Sequence, residues 1–92
     1  MTIYIDDMDW PYGRMIMNHM TSDLLDKAAT RKELDEMADK IGVQRKWIQK
    51  AGTPEEHYDV SLGAKKKALS FGAVECDTDK TVEIIRSKRG VQ

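Results

Sequence analysis

The chain has 92 residues, 40% of them hydrophobic and 34% charged, which suits one globular domain with a thin core and leaves no room for a second. A net charge of -1 supplies no global field for nucleic acid or an anionic membrane, so any basic surface must be local. Cys76 is the single cysteine, which excludes an internal disulfide and a cysteine-based metal site and fits a reducing compartment.

The opening run Thr2-Ile3-Tyr4-Ile5-Asp6 has no basic region followed by an apolar stretch, so no signal peptide is expected. No apolar run approaches the ~20 residues of a membrane helix. A cytoplasmic location is the expectation, with one domain over residues 1–92.

Thr2 to Ile5, β-branched and aromatic, predicts a strand ending at Asp6-Asp7. Trp10-Pro11-Tyr12-Gly13 predicts a loop. Met15 to Thr21 alternates in a way that fits a second strand, after which Thr21 or Ser22 is placed to cap a short turn through Leu25 and Ala28. Thr30-Arg31-Lys32-Glu33 has capping-box spacing. Leu34, Met37, Ala38 and Ile41 then line one helical face, with Gly42 as the stop. The expected helix is Thr30 to Ile41, with Lys32, Asp35 and Asp39 exposed.

Val43 to Gln49 reads as a strand or a turn entering one, and Ala51 to Pro54 as a loop. Ser61 can cap a helix to Phe71, with Ala64, Ala68 and Phe71 on one face and Gly72 ending it. Ala73 to Cys76 predicts a short strand. Asp77 to Asp79 can cap a last helix carrying Val82, Ile84 and Ile85, with the Ser87 to Gln92 tail frayed. Alternation of strands and helices favours an α/β domain with a mainly parallel sheet and three main helices. The alternative is an α+β arrangement with an antiparallel strand at Met15 to Thr21.

In open α/β sheets, ligands bind beyond the carboxyl ends of the strands. Asp6 and the Trp10 to Arg14 loop follow the first strand, and His57-Tyr58-Asp59 precedes the second main helix. Both histidines have a nearby aspartate in sequence: Asp23 for His19 and Asp59 for His57. A carboxylate that orients an imidazole suits general acid–base work or phosphate contact. His19, His57 and Asp59 are therefore the candidate catalytic residues. Arg14 is the candidate anion ligand, since a guanidinium forks onto phosphate. Asp6, Trp10, Asp23, Tyr58 and Arg45 complete the candidate ligand-binding set.

Each candidate has a structural reading beside the functional one. A histidine can be half-buried and hydrogen-bonded for packing alone, Arg14 can pair with neighbouring aspartates, and Trp10-Pro11 can cover the core. Lys65-Lys66-Lys67 reads as a solvated helix face. Asp6, Asp7, His19, Asp23, His57 and Asp59 are ligand types for magnesium, manganese or zinc. No pair has a tight ligand spacing, so no metal ligand is assigned and the cofactor is left open. A glycine-rich phosphate loop and a nucleophile elbow are both absent.

Tyr4-Ile5-Asp6, Trp10-Pro11 with Gly13-Arg14, His19 with Ser22-Asp23, His57-Tyr58-Asp59 and Gly72-Ala73-Val74 occur in an order with a precedent. The chain resembles the domain-of-unknown-function family numbered 4031, small proteins of bacteria and bacteriophages, over roughly Thr2 to Val74. The resemblance implies that Asp6, Arg14, His19, Asp23 and His57-Tyr58-Asp59 belong to the family pattern, and it brings no established activity. The Lys27 to Arg31 region and the Gln49 to Glu56 loop are longer than that pattern.

The leading functional expectation is a site for a phosphate-containing small molecule or nucleotide, with phosphodiester hydrolysis as its reaction. The alternative is a non-catalytic, phage-type binder that sequesters a host nucleotide signal or blocks a host protein. Residue types alone do not decide between enzyme and binder. A two-fold homodimer is a further expectation, with Met15, Met17 and Met20 as its exposed apolar residues. Asp6, Arg14, His19 and His57-Tyr58-Asp59 are expected to converge.

Overall fold

The β-branched run Ile3–Ile5 forms strand β1 of the computed structural model, which describes residues 2–92. Trp10–Tyr12, expected as loop, is a second strand, β2. It returns antiparallel into β3, Met15–Ser22, through Gly13 (φ +61) and Arg14. A two-residue turn with positive φ matches the twist of paired strands, and glycine adopts it without a Cβ clash. Pro11, which has no N–H to give, is tolerated because β2 has a free edge.

β3 is the spine of the sheet. Met17 faces Trp10 on one side and Ser61 of β4 (Tyr58–Ser61) on the other, and Met20 likewise faces Ile5 and Tyr58. So β1 and β2 lie end to end along one side of β3, with β4 along the other. β5, Val74–Glu75, joins β1 in parallel. The five-stranded sheet is mixed, and β1–β5 is its parallel pair among the described residues. The expectation of a mainly parallel sheet is thereby corrected. A two-residue connection can join only antiparallel neighbours, and the antiparallel strand of the alternative reading is β3.

Helix α1 spans Lys27–Ile41, with Asp26 as its cap accepting from the Ala29 N–H at 2.9 Å. Leu34, Met37, Ala38 and Ile41 form the buried stripe, and Gly42 (φ +80) closes the helix in the left-handed region. The expected capping box does not form, because Asp26 caps the helix one turn earlier. Thr30 is buried inside the first turns, where its hydroxyl accepts from Lys88 Nζ at 3.1 Å. Glu33 instead accepts from Ser22 Oγ at 2.7 Å. The short helical turn expected from Thr21 or Ser22 is also absent, since both residues finish β3.

Asp35, expected on the exposed face, is buried and accepts hydrogen bonds from the Tyr58 hydroxyl and from Arg31 Nε. Burial and the Asp35 carboxylate push the Tyr58 pKa up, so the phenol stays a donor. Tyr58→Phe should cost about 1.5–2 kcal/mol, within the range for a hydrogen bond to a charged group. Urea unfolding measures it, and an unchanged midpoint would show that the bond contributes nothing.

Val43 to Gln49 is not a strand: Arg45–Trp47 is one 3-10 turn, and only Gln49 bridges to His57. Helix α2, Leu62–Ser70, starts at the expected Ser61 cap. Ala68 is buried and Ala64 packs on the core, whereas Phe71 lies beyond the helix and is exposed. Lys66 and Lys67 are solvated, but Lys65 is buried and donates to the Asp6 carbonyl at 3.0 Å while pairing with Glu75 at 2.7 Å. Helix α3, Thr78–Arg89, starts at Asp77 as expected. Its end is pinned rather than frayed. Lys88 is buried, Arg89 bonds Glu55, and Gln92 bonds the Leu25 carbonyl.

α1 and α2 cover the sheet face carrying Ile3, Ile5, Met20, Tyr58 and Val60, which with Leu34 and Met37 make the core. Met20 was expected at the surface; strand alternation turns it inward instead, while Met15 is exposed. Tyr4, Asp6, His19 and Asp59 alternate onto the opposite face. There α3 packs, with Lys80 over the Tyr4 ring and the Thr81 hydroxyl donating to Asp6. No helix among the described residues is long and apolar enough to cross a membrane.

Candidate functional site

One row across the sheet carries the site. Asp6, directly after β1, donates its N–H to the His19 carbonyl at 3.1 Å, and His19 of β3 is paired with Asp59 of β4. His57 precedes Asp59 by two residues, so it projects from the same face. The two imidazole centroids are 5.0 Å apart, with the planes at 76°. The Trp10 ring, brought over by the β2–β3 register, stacks at 6.3 Å against the other side of His19.

Hydrogen bonds set both ring orientations. His19 Nδ1 lies 2.8 Å from Asp6 Oδ2, and the His19 N–H donates to Asp6 Oδ1 at 3.0 Å. His57 Nδ1 lies 2.6 Å from the Glu55 carbonyl. A carboxylate and a carbonyl only accept, so each Nδ1 carries a proton. In the neutral rings both Nε2 atoms then present a lone pair. His57 Nε2 is 3.2 Å and His19 Nε2 is 3.9 Å from Asp59 Oδ1. That oxygen is buried and has no hydrogen-bond partner among the described residues.

The Asp6–His19 pair shifts both groups. Burial pushes the Asp6 carboxyl up, but the His19 ring, the His19 N–H and charge, and the Met8 N–H outweigh it, so the net direction is down. Bonding to Asp6 lifts the His19 pKa against the effect of burial, with Asp59 adding to the rise. Asp6 is fully buried while the side chains of His19, His57 and Asp59 keep about a fifth of their surface in solvent, at 23%, 18% and 22%. The arrangement is a sealed orienting carboxylate behind three partly exposed side chains.

Other sequence candidates are placed elsewhere. Arg14 sits exposed at the β2–β3 turn, five residues from His19 along the strand or roughly 16 Å. It does not join the cluster. Asp23 lies beyond the end of β3 and accepts from the Thr2 N–H, so Asp6 rather than Asp23 orients His19. Tyr58 alternates to the opposite face. Arg45 is also there, held by Asp39 at 2.7 Å and near Asp35. The clefts beside α1, one around Thr2, Met37 and Phe71 and one around Arg31, Asp35 and Arg45, contain neither histidine.

The cluster lies on the face of the sheet, across its lateral register, and of its residues Asp6 follows the carboxyl end of a parallel strand. Sequence spacing missed the Asp6–His19 pair and the Glu55 carbonyl behind His57. The first is a contact between strands, and the second belongs to the main chain.

No curated protein and no solved structure matches the chain. A family profile, described as "Protein of unknown function (DUF4031)", matches residues 3–88, which takes in every strand and all but the last residue of α3. The chain belongs to the DUF4031 family.

Proposed function

We propose that the protein binds a phosphate-containing small molecule or nucleotide at His19, His57 and Asp59 and hydrolyses a phosphodiester bond there. The supporting observation is the convergence of the three side chains, whose donor atoms all lie within 4.8 Å of one another on a reachable face. Water attacks phosphorus and one P–O ester bond breaks, giving a phosphomonoester and an alcohol. In the metal-free arrangement His19 Nε2 takes the proton of the attacking water, and Asp6 holds that ring in place. His57, entering the step with both ring nitrogens protonated, gives its Nε2 proton to the departing oxygen, and Trp10 forms the wall beside them.

His57→Ala should lower turnover by about 10²–10⁴, the usual contribution of a positioned acid or base. The measurement is hydrolysis of a panel of cyclic nucleotides, dinucleotides and an aryl phosphodiester, with urea unfolding of the variant as a control. No turnover of any phosphodiester, or an unchanged rate in His57→Ala, overturns the proposal. Release of an intact nucleotide from the heat-denatured protein would instead favour the sequestering binder.

A further inference from the structure

We infer that His19 Nε2, His57 Nε2 and Asp59 Oδ1 together hold one divalent transition-metal ion of the zinc class. The inference rests on the same three residues as the proposed reaction and deepens it, but metal binding does not itself require hydrolysis.

The first reason is the backing of the ligands. Metal-bound imidazoles characteristically donate their other N–H to a carboxylate or a carbonyl, which fixes the tautomer and aims the lone pair. His19 has Asp6 Oδ2 at 2.8 Å and His57 has the Glu55 carbonyl at 2.6 Å in those roles. Nothing in ordinary packing requires both rings to be backed this way and to face the same carboxylate.

The second reason is an unanswered oxygen. Asp59 Oδ1 is buried without a hydrogen-bond partner, although His57 Nε2 is only 3.2 Å away. The two atoms are close without being aligned as donor and acceptor. In the neutral ring both are acceptors, and two acceptors at that distance repel unless a cation lies between them. Ligands bound at 2.0–2.1 Å around a tetrahedral ion are separated by about 3.3 Å. The 3.2 Å pair already has that spacing, and the 3.9 Å pair from His19 needs to close by about half an ångström.

The third reason is charge. Phosphate requires a positive partner, and the groups around this row are acidic: Asp6 and Asp59 in it, Asp7 and Asp9 in the adjoining β1–β2 connection. The nearby cations are already engaged, Lys65 with Glu75, Arg89 with Glu55 and Lys80 with Glu83. A dication supplies the missing charge. Two imidazoles and one carboxylate suit zinc, whereas magnesium prefers an all-oxygen set. Three protein donors on a half-buried face leave a fourth position for water, as in catalytic rather than structural zinc sites. An ion held there would supply an activated water in place of the His19 base, and the departing oxygen would take its proton from solvent because His57 Nε2 would be engaged as a ligand.

The test uses the full chain, stripped with a chelator and dialysed. It is titrated with zinc alone against a chromophoric chelator, and with cobalt alone while the visible spectrum is followed. One equivalent per chain and a tetrahedral cobalt band are expected. His57→Ala and Asp59→Ala should each weaken zinc binding by at least about 100-fold, and Asp6→Asn by about 10–100-fold as a backing residue. Magnesium should not compete.

Because a variant can fail to fold, the imidazole ¹⁵N resonances of the unmodified protein provide a second readout. Zinc should move the Nε2 signals of both histidines. Absence of stoichiometric zinc binding, full affinity in both alanine variants, or unmoved Nε2 signals would overturn the inference. Zinc uptake without phosphodiester turnover removes the reaction and leaves the metal site. Turnover by stripped protein that takes up no zinc does the reverse.

Discussion

Asp6→Ala should lower the unfolding free energy by about 3 kcal/mol. The Asp6 side chain is fully buried, and it accepts from the His19 N–H at 3.0 Å and stands 2.8 Å from the His19 ring. It also accepts from the Thr81 hydroxyl of α3 at 3.5 Å, so it ties β1, β3 and α3 together. Alanine leaves these donors inside the protein without their acceptor. Each orphaned buried donor costs about 1–3 kcal/mol, and the avoided burial of a carboxylate offsets part of the sum. Asp6→Asn keeps one acceptor of similar shape and should recover about half the loss. Urea midpoints at a constant m value measure both variants. A loss under about 0.5 kcal/mol, the scale of an ordinary surface change, would show that the carboxylate does not organise this junction.

Leu34→Ala should cost about as much, by a different physical route and with no effect on the site. Leu34 is fully buried in the cluster with Ile5, Met20, Met37, Ala38 and Tyr58. Truncation removes the transfer free energy of its methyl groups and leaves a cavity, for a total of about 2–5 kcal/mol. A 92-residue chain has total stability on the order of 5–14 kcal/mol. A loss of about 3 kcal/mol should therefore lower the melting temperature by about 12–24 °C. Leu34→Met, close in volume, should cost less than about 1.5 kcal/mol. Leu34 lies under the face opposite His19 and His57, so Leu34→Ala should bind zinc like the parent below its melting temperature, whereas Asp6→Asn should not. Equal loss of zinc affinity in both would mean that general loosening, not the Asp6–His19 bond, controls the site.

Local signals in the sequence predicted the elements that carry their own punctuation. Ser61 and Asp77 sit before helical stretches and cap them, and the Leu34, Met37, Ala38 and Ile41 stripe is buried as its spacing requires. These are contacts within one turn, so neighbours in sequence are neighbours in space. The start of α1 was misread because two cap signals compete, and Asp26, not Thr30, has a free N–H to satisfy. Trp10–Tyr12 and Tyr58–Ser61 were not recognised as strands because each is short and gains its order from β3.

The residue types of the site were legible in the same way: two histidines with aspartates near them, and an aspartate closing the first strand. Which aspartate serves which histidine was not. Asp23 is nearer to His19 in sequence, yet the β1–β3 register puts Asp6 against its ring and leaves Asp23 at the far end of the strand. Likewise Gly13-Arg14 read as an anion-binding loop, and the hairpin carries Arg14 away from the histidines. Side-chain alternation determines which face a residue occupies, and spacing along the chain reveals that. Pairing between strands determines what lies beside it on that face, and only the folded sheet specifies the register.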